Sequence, residues 1–343
     1  MTLSAIVPNY NHGRYIGRAI GALLSQERIP DEIIIVDDAS TDDSLAIIEG
    51  LASRSPRVRL ISQPVNMGTN AALRKGLEIA TGQYILMAGA DDWILPGFCK
   101  LGLRMLAQYP AAGLFCGDTV LLDGETGKLF GYRPPARPLH RAAFVGPEQC
   151  ARLLRRMDNF IHTGGTIFRR DAMLEAGGLD DSLGAFADGY LTRKIALTFG
   201  FCYAPQNVAC WRVFLSGVSR TTALDPVMAR RALDLYPQRI AADPAFPPWY
   251  ADVFRNRWRF ATARLALQAH APDFDFIQTM AATSPVDRAA LSTIKATCRG
   301  RLMRTAVLGW LWLRLRPYRL TDLVTTATVR KFEHLARRGK AAA

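Results

Sequence analysis

Near the start of this chain, two adjacent carboxylates follow an apolar run: Tyr84-Ile85-Leu86-Met87-Ala88-Gly89-Ala90-Asp91-Asp92-Trp93. A carboxylate pair at the end of a buried strand is costly unless a cation meets it. A divalent metal carrying phosphate oxygens would do so. An Asp-rich turn that caps a helix uses the same residue types, so the run alone leaves both readings open. Two earlier segments could hold a flat base. In Val7-Pro8-Asn9-Tyr10-Asn11 the backbone could do so with Tyr10 alongside. In Ile34-Ile35-Val36-Asp37-Asp38-Ala39-Ser40-Thr41-Asp42, Asp37 could accept a base N–H, while Thr41 or Asp42 suits a helix cap. The five histidines have no metal-ligand spacing; His162 is read as structural, with a substrate contact as the alternative.

These groups need elements to position them. Residues 3–8, 32–37, 58–62, 84–88 and 113–122 read as strands. Residues 15–25, 44–54, 68–80 and 96–109 read as the helices between them. Strands with no polar alternation, separated by helices, predict an α/β fold with a mixed, mostly parallel sheet flanked by helices. Ligands of such sheets bind at the carboxyl ends of the strands, where Asp37 and Asp91 fall. Farther on, helices are expected near 147–156, 171–176 and 189–199, a short strand at 166–169, and a loop at Arg133-Pro134-Pro135-Ala136-Arg137-Pro138. From Pro226 strand signals fade, and helical patterns continue to an Ala-rich tail.

The chain has 343 residues, 49% of them hydrophobic, enough for a large core and an appendage. Six scattered cysteines without a C-x-x-C pair argue against a zinc site or a disulfide framework and fit a reducing cytoplasm. A start that opens directly into a strand predicts no cleaved leader. No apolar run reaches membrane-span length. Residues 1–224 hold 23 Lys+Arg against 21 Asp+Glu, and residues 225–343 hold 20 against 9, so +11 of the net charge of +13 lies in the last third.

Taken in order, Pro8-x-Tyr10-Asn11, Val36-Asp37-Asp38-x-Ser40, Asn66-x-Gly68 and Asp91-Asp92-Trp93 resemble the inverting family 2 glycosyltransferases of the glycosyltransferase A-type fold. Gly177-Gly178-Leu179-Asp180-Asp181 is similar to the family's Gly-Gly-Phe-Asp-Glu segment. Asp188, with Leu191 and Arg193 after it, is similar to the Glu-Asp-x-x-Leu-x-x-Arg segment. Trp211-Arg212 followed by Ser219 is similar to a later Tyr-Arg…Ser element. Ordered motifs over residues 3–220 are far more specific than any one of them.

The resemblance implies transfer of a sugar from a nucleotide diphosphate donor, UDP-linked most commonly, to an acceptor hydroxyl. It implies Asp188 as the catalytic base and Asp91 as the principal contact of a divalent metal (Mn²⁺ or Mg²⁺). It implies Pro8, Asn9, Tyr10, Asp37, Asn66, Gly68, Arg74 and Asp92 on the donor side, and Asp180, Asp181, Trp211 and Arg212 on the acceptor side. A simple N-cap for the following helix is the competing role of Asp188, and a turn role competes for Asp180 and Asp181. The chain departs from the pattern at Gly89, where the first Asp of the metal motif is missing. It departs also at Leu73 (with Arg74 adjacent), Ala187 and Phe214.

Two domains are expected: residues 1–224 for donor binding and catalysis, and a basic helical region, 225–343. Trp, Leu and Arg mixed through residues 301–316 suit either a helix in the interface of an anionic membrane or a core helix with solvated arginines. No nucleic-acid motif is visible, so nucleic acid is not expected as a partner. The resulting expectation is a cytoplasmic enzyme, peripheral on the inner membrane face, that acts on a glycan or lipid-linked acceptor in cell-surface polysaccharide synthesis. The rivals are a catalytically degenerate relative acting as a scaffold and a nucleotidyltransferase.

Overall fold

The computed structural model describes residues 1–341, with side chains through Leu335. The last two residues of the expected C-terminal region, Ala342 and Ala343, lie outside the described residues. The chain divides into two units. The first comprises Met1–Leu153, Asp158–Phe214 and the chain from Asp322, and the second Leu154–Met157 and Leu215–Thr321.

The first unit opens with β1 (Leu3–Asn9), α1 (Gly13–Leu24), β2 (Glu32–Asp37), α2 (Ser44–Ala52), β3 (Val58–Ser62), α3 (Thr69–Ile79) and β4 (Tyr84–Met87). It continues with β5 (Trp93–Ile94), α4 (Phe98–Gln108), β6 (Leu114–Asp123), β7 (Leu129–Arg133), β8 (Ala143–Val145) and α5 (Pro147–Arg156). Next come a 3-10 turn (Thr163–Gly165), β9 (Thr166–Arg169), α6 (Arg170–Glu175), a second 3-10 segment (Asp181–Phe186), α7 (Ala187–Phe199) and β10 (Phe201–Val213).

The ten strands form one mixed sheet in the order β3-β2-β1-β4-β9-β6-β10-β5, with β7 beside β6 and β8 beside β10. The β3-β2-β1-β4 half is parallel throughout, as the uninterrupted apolar runs predict. β9 enters antiparallel between β4 and β6. Burial of each large aliphatic side chain in these strands contributes about 1.5–3 kcal/mol relative to exposure.

Alternation sorts the helices onto two faces. Leu3, Ala5 and Val7 of β1 pack with Ile16, Ile20 and Leu23 of α1. Ile6 points the other way, against Gly76 of α3, leaving no room there for a Cβ. This is what right-handed crossovers dictate when the chain steps one way along the sheet through α1 and α2 and returns through α3. The carboxyl ends of β1, β2 and β4 therefore meet one face carrying α1 and another carrying α3.

The second unit is helical: α8 (Val218–Leu224), α9 (Pro226–Ala242), α10 (Tyr250–Ala266), α11 (Phe274–Ala281), α12 (Pro285–Thr297) and α13 (Gly300–Leu315). Val307, Leu311 and Leu315 form a buried stripe on α13, in one core with Phe260, Ala263, Ile277 and Leu291. Trp310 and Trp312 pack against that core, Trp312 edge-on to Phe260 at 5.5 Å. The tryptophans that suited a membrane interface are thus used inside the unit. No helix among the described residues is long and apolar enough to cross a membrane.

The final helix, α14 (Leu320–Ala341), crosses from the second unit into the first. There it closes a buried ion network around Asp118 of β6, which has no exposed surface. Asp118 Oδ1 accepts from the Tyr203 hydroxyl, and Oδ2 accepts from Arg137 Nε at 2.7 Å and Arg330 Nη2 at 2.9 Å. Arg137 also grips Glu333 through two bonds of 2.7 and 3.0 Å, and its backbone N–H donates to Thr326 Oγ1. Buried charges require such pairing. The expected loop after β7 thus carries a buried arginine as well as its prolines.

Candidate active site

The carboxyl end of β1 meets that of β2 in a small polar cluster. Asn9 Nδ2 donates to Asp37 Oδ1 at 2.7 Å and to Ser40 Oγ at 3.1 Å. Ser40 donates its N–H to Asp37 Oδ2 at 2.9 Å and its hydroxyl to Oδ1 at 2.6 Å. Asp37, expected to face a base, already receives three donors from its own neighbourhood. Within this cluster Asn9 Oδ1 is buried with no partner among the described residues. Beside it, Tyr10 is 43% exposed. Asp42 bridges two helix starts, accepting from Ser44 N at 3.0 Å and Gly13 N at 2.8 Å.

Asp38, not assigned a role from the sequence, holds the next segment in place. Its carboxylate accepts from Gln63 Nε2, Met67 N and Gly68 N at 2.7–2.8 Å. Asn66 Oδ1 also accepts from Gly68 N, at 3.1 Å. Gly68 sits at φ +88°, a conformation that favours glycine. Arg74, expected on the donor side, pairs with Asp181, expected on the acceptor side. Both are nearly half exposed, so the pair adds little stability. Asp180 caps its 3-10 segment, accepting from Ser182 N at 3.0 Å.

After β4 the chain turns through Asp91 and Asp92. Asp92 Oδ1 accepts from Arg212 N at 2.7 Å. A Cβ at Gly89 would lie 2.8 Å from Asp92 Oδ2 and 3.1 Å from Asp91 Oδ1, so both carboxylates converge over this glycine. Burial pushes the Asp92 carboxyl well above its ordinary range, and the neighbouring Asp91 charge adds to this. Burial also raises Asp91, opposed by His12 and Arg212. Two converging carboxylate oxygens fit a hard divalent cation that takes the rest of its shell from phosphate and water. They do not make a complete cage, and no group of three metal-ligating His, Cys, Asp or Glu occurs among the described residues.

On the α1 face this turn borders a cleft of about 330 Å³ whose lining includes Arg14, Arg18, Trp93 and Arg212. The Arg18 guanidinium lies 3.4 Å from the Trp93 ring centre. Arg212 lies 4.9 Å from the Tyr15 ring and 5.4 Å from Trp93.

On the α3 face stands Asp188. Helix α7 begins at Ala187 with Phe186 at the N-cap, so Asp188 lies in the first turn. The competing capping role does not hold, because the helix starts before Asp188. Thr163 Oγ1 donates to Asp188 Oδ2 at 2.7 Å, and Gly189 N donates to Oδ1 at 2.6 Å. The 3-10 turn carrying Thr163 is tightly held: His162 O accepts from Gly165 N at 2.9 Å and from Thr166 Oγ1 at 2.8 Å. The His162 ring stacks on Trp211 at 4.7 Å and meets Thr119 Oγ1 at 3.2 Å. Burial pushes the His162 imidazole down to about 3, so it stays neutral at physiological pH and serves as a packed wedge. A Cβ at Gly164 would lie 3.7 Å from Asp92 Oδ2. One turn therefore touches both the Asp188 side and the Asp91–Asp92 side. Nothing in His162-Thr163-Gly164-Gly165 beyond its glycines signals that role.

Comparison with known proteins matches residues 4–175 to the family model "Glycosyl transferase family 2". The chain is 30% identical to the succinoglycan biosynthesis protein ExoO of Rhizobium meliloti, over 72% of this chain and 68% of that protein. It is 31% identical to the uncharacterized glycosyltransferase YibD of Escherichia coli, over 50% of each chain, and so spans only half of that relative's length. Among solved structures, S. aureus TarS 1–349 in complex with UDP-GlcNAc superposes with a TM-score of 0.62 at 17% identity, covering 90% of this chain and 91% of that one. The mannosyltransferase PcManGT of Pyrobaculum calidifontis, in complex with GDP-Man and Mn²⁺, gives 0.56 at 19% identity, covering 95% and 86%. The structural likenesses establish a shared fold of the glycosyltransferase A type, and by the family match and the ExoO identity the chain belongs to glycosyl transferase family 2.

Proposed function

We propose that this chain transfers a sugar, with inversion, from a nucleoside diphosphate donor to a hydroxyl of a glycan or lipid-linked acceptor in polysaccharide synthesis. The observation that carries this reading is the placement of Asp188 and the Asp91–Asp92 pair. One short turn borders both: Thr163 donates to Asp188, and Gly164 lies against the Asp92 carboxylate. An inverting transfer is one displacement in which the acceptor oxygen bonds to the anomeric carbon as the bond to the diphosphate oxygen breaks. It needs a base on one side and positive charge on the other.

Asp188 takes the acceptor's proton. Its carboxylate is oriented by Thr163 and Gly189, each of which leaves the oxygen it contacts a further lone pair for that proton. Asn9 Oδ1 offers the unpartnered acceptor for a base N–H, with Tyr10 beside it. Asp38 fixes the Asn66–Gly68 segment at the donor's edge. Asp91 Oδ1 and Asp92 Oδ2 would hold a divalent cation, which when bound supplies Lewis-acid stabilisation of the departing diphosphate. The nucleotide sugars in the TarS and PcManGT structures support a nucleoside diphosphate sugar as donor, with UDP-linked donors first in line.

The test is a panel of nucleoside diphosphate sugars, including UDP-GlcNAc and GDP-mannose, with Mn²⁺ or Mg²⁺, read by diphosphate release. Asp188→Asn is expected to bind the active donor as the parent does while turnover falls by about 10²–10⁴. Undiminished turnover in that variant removes Asp188 as the base. A parent protein that neither binds nor cleaves any donor removes the enzymatic reading altogether.

A further inference from the structure

The cleft beside Asp91 and Asp92 holds three guanidinium groups; Arg14 and Arg18 have no role so far, and Arg212, expected on the acceptor side, reaches this cleft instead. Arg14 and Arg18 lie one turn apart on α1, and Arg212 reaches in from the end of β10. None of the three forms an ion pair with a carboxylate among the described residues. Their contacts are with rings instead: Arg18 over Trp93, Arg212 over Tyr15 and Trp93, Arg14 over Tyr15. Arg212 also donates to Gly124 O at 3.3 Å. Stacking on rings fixes the guanidinium planes and leaves N–H groups along their edges free to donate. The same cleft contains carboxylates with few donors of their own. Asp92 accepts one N–H, and no other residue donates to the Asp91 carboxylate among the described residues.

A cleft with unpaired cations on one wall and a cation-seeking acid pair on the other matches a ligand that is itself a metal–anion complex. Its size, about 330 Å³, accommodates a diphosphate. The position also matches. The arginines stand on the α1 face, while the 3-10 segment that leads into Asp188 contacts Asn70 and Arg74 of α3 on the other. An in-line displacement puts the leaving group opposite the base, and therefore on the arginine side.

We infer that Arg14, Arg18 and Arg212 form a phosphoryl-binding wall for the leaving diphosphate, carrying charge that the acid turn, with glycine at position 89, gives less metal to carry. This rests on the reading of the chain as a nucleotide-sugar transferase. Arginine suits the task, since its planar fork donates to two phosphate oxygens at once and never deprotonates.

The experiment is isothermal titration calorimetry of UDP and of uridine, each with Mn²⁺ and with EDTA, on the parent and on an Arg14→Ala/Arg18→Ala double variant. Both side chains are exposed on a helix whose opposite face makes the core contacts, so the fold is retained; circular dichroism checks this. Arg212 is spared because its backbone holds Asp92. UDP affinity is expected to fall about tenfold in the double variant with uridine affinity unchanged. In EDTA the parent is expected to keep a preference for UDP over uridine that the double variant loses. Equal UDP affinity in parent and variant overturns the inference while leaving the transferase reading standing. The same holds if donor hydrolysis and UDP binding persist and only transfer to an added acceptor is lost, since the wall would then serve an acidic acceptor. If the parent binds neither UDP nor GDP, the transferase reading fails and the inference falls with it.

Discussion

Two acidic centres of the first unit, one enclosed and one lining a cleft, make an instructive pair. Asp118 is fully enclosed, and three donors from Tyr203, Arg137 and Arg330 satisfy it. Asp91 and Asp92 are half-buried at the cleft, and share a single N–H donor from another residue, that of Arg212. The first arrangement spends its charge on holding the molecule together. The second leaves charge uncompensated, and burial raises both carboxyls as a result. A buried acid with full partners is a joint, and one without them is a receptor for something absent from the chain.

The largest effect that would separate the two is Asp118→Asn. It strands Arg137 and Arg330 against a neutral group and is expected to cost about 3–5 kcal/mol, read from urea unfolding midpoints. A variant as stable as the parent would mean that the network is no joint at all. Asp91→Ala should do the opposite. It is expected to leave the metal-free unfolding midpoint unchanged or higher, while the strengthening of UDP binding by Mn²⁺ disappears. Metal-dependent UDP binding that survives this change would move the receptor elsewhere.

The smallest effect concerns pH. Burial, and then the Asp91 charge, lifts the Asp92 carboxyl above its unfolded value. Folded protein therefore keeps a proton that the unfolded chain has released. The contribution of this group to stability is present at low pH and is lost as pH rises through the folded value. Metal-free parent protein should gain stability between pH 7 and pH 5 from this source. Asp92→Asn should flatten that gain, raising Tm at pH 7 by about 2 °C and by less at lower pH. A variant with the parent's slope would show that Asp92 is not held protonated.

How far the sequence reached depended on how local each signal was. Strands β1 to β4 and the helices between them are written in short apolar periods, and β3, β9 and α5 begin and end where the patterning placed them. The long strand β10 escaped notice because Pro205, Gln206 and Asn207 interrupt it, and its register against β6 shifts there. Asp188 was singled out by motif order, but its helix begins two residues earlier than the patterning suggested, which turned a capping position into a first-turn one. Asp38 stood in a motif without a role, and Thr163 had no local signature, since what each does lies in contacts 30 and 25 residues away. Arg14 and Arg18 have visible helical spacing, yet only the folded sheet shows what they face.

The joint at Asp118 also bears on how the molecule comes into being. Its partner Arg137 follows 19 residues later, but Arg330 follows 212 residues later, after every helix of the second unit. A ribosome therefore makes the whole sheet, and then the whole helical unit, before the last guanidinium reaches its acid. Until then Asp118 has two of its three donors, and Arg137 waits for Glu333, 196 residues further on. The sheet is thus synthesised ahead of the helical unit, yet its central ion network closes only after that unit has been made, when α14 follows.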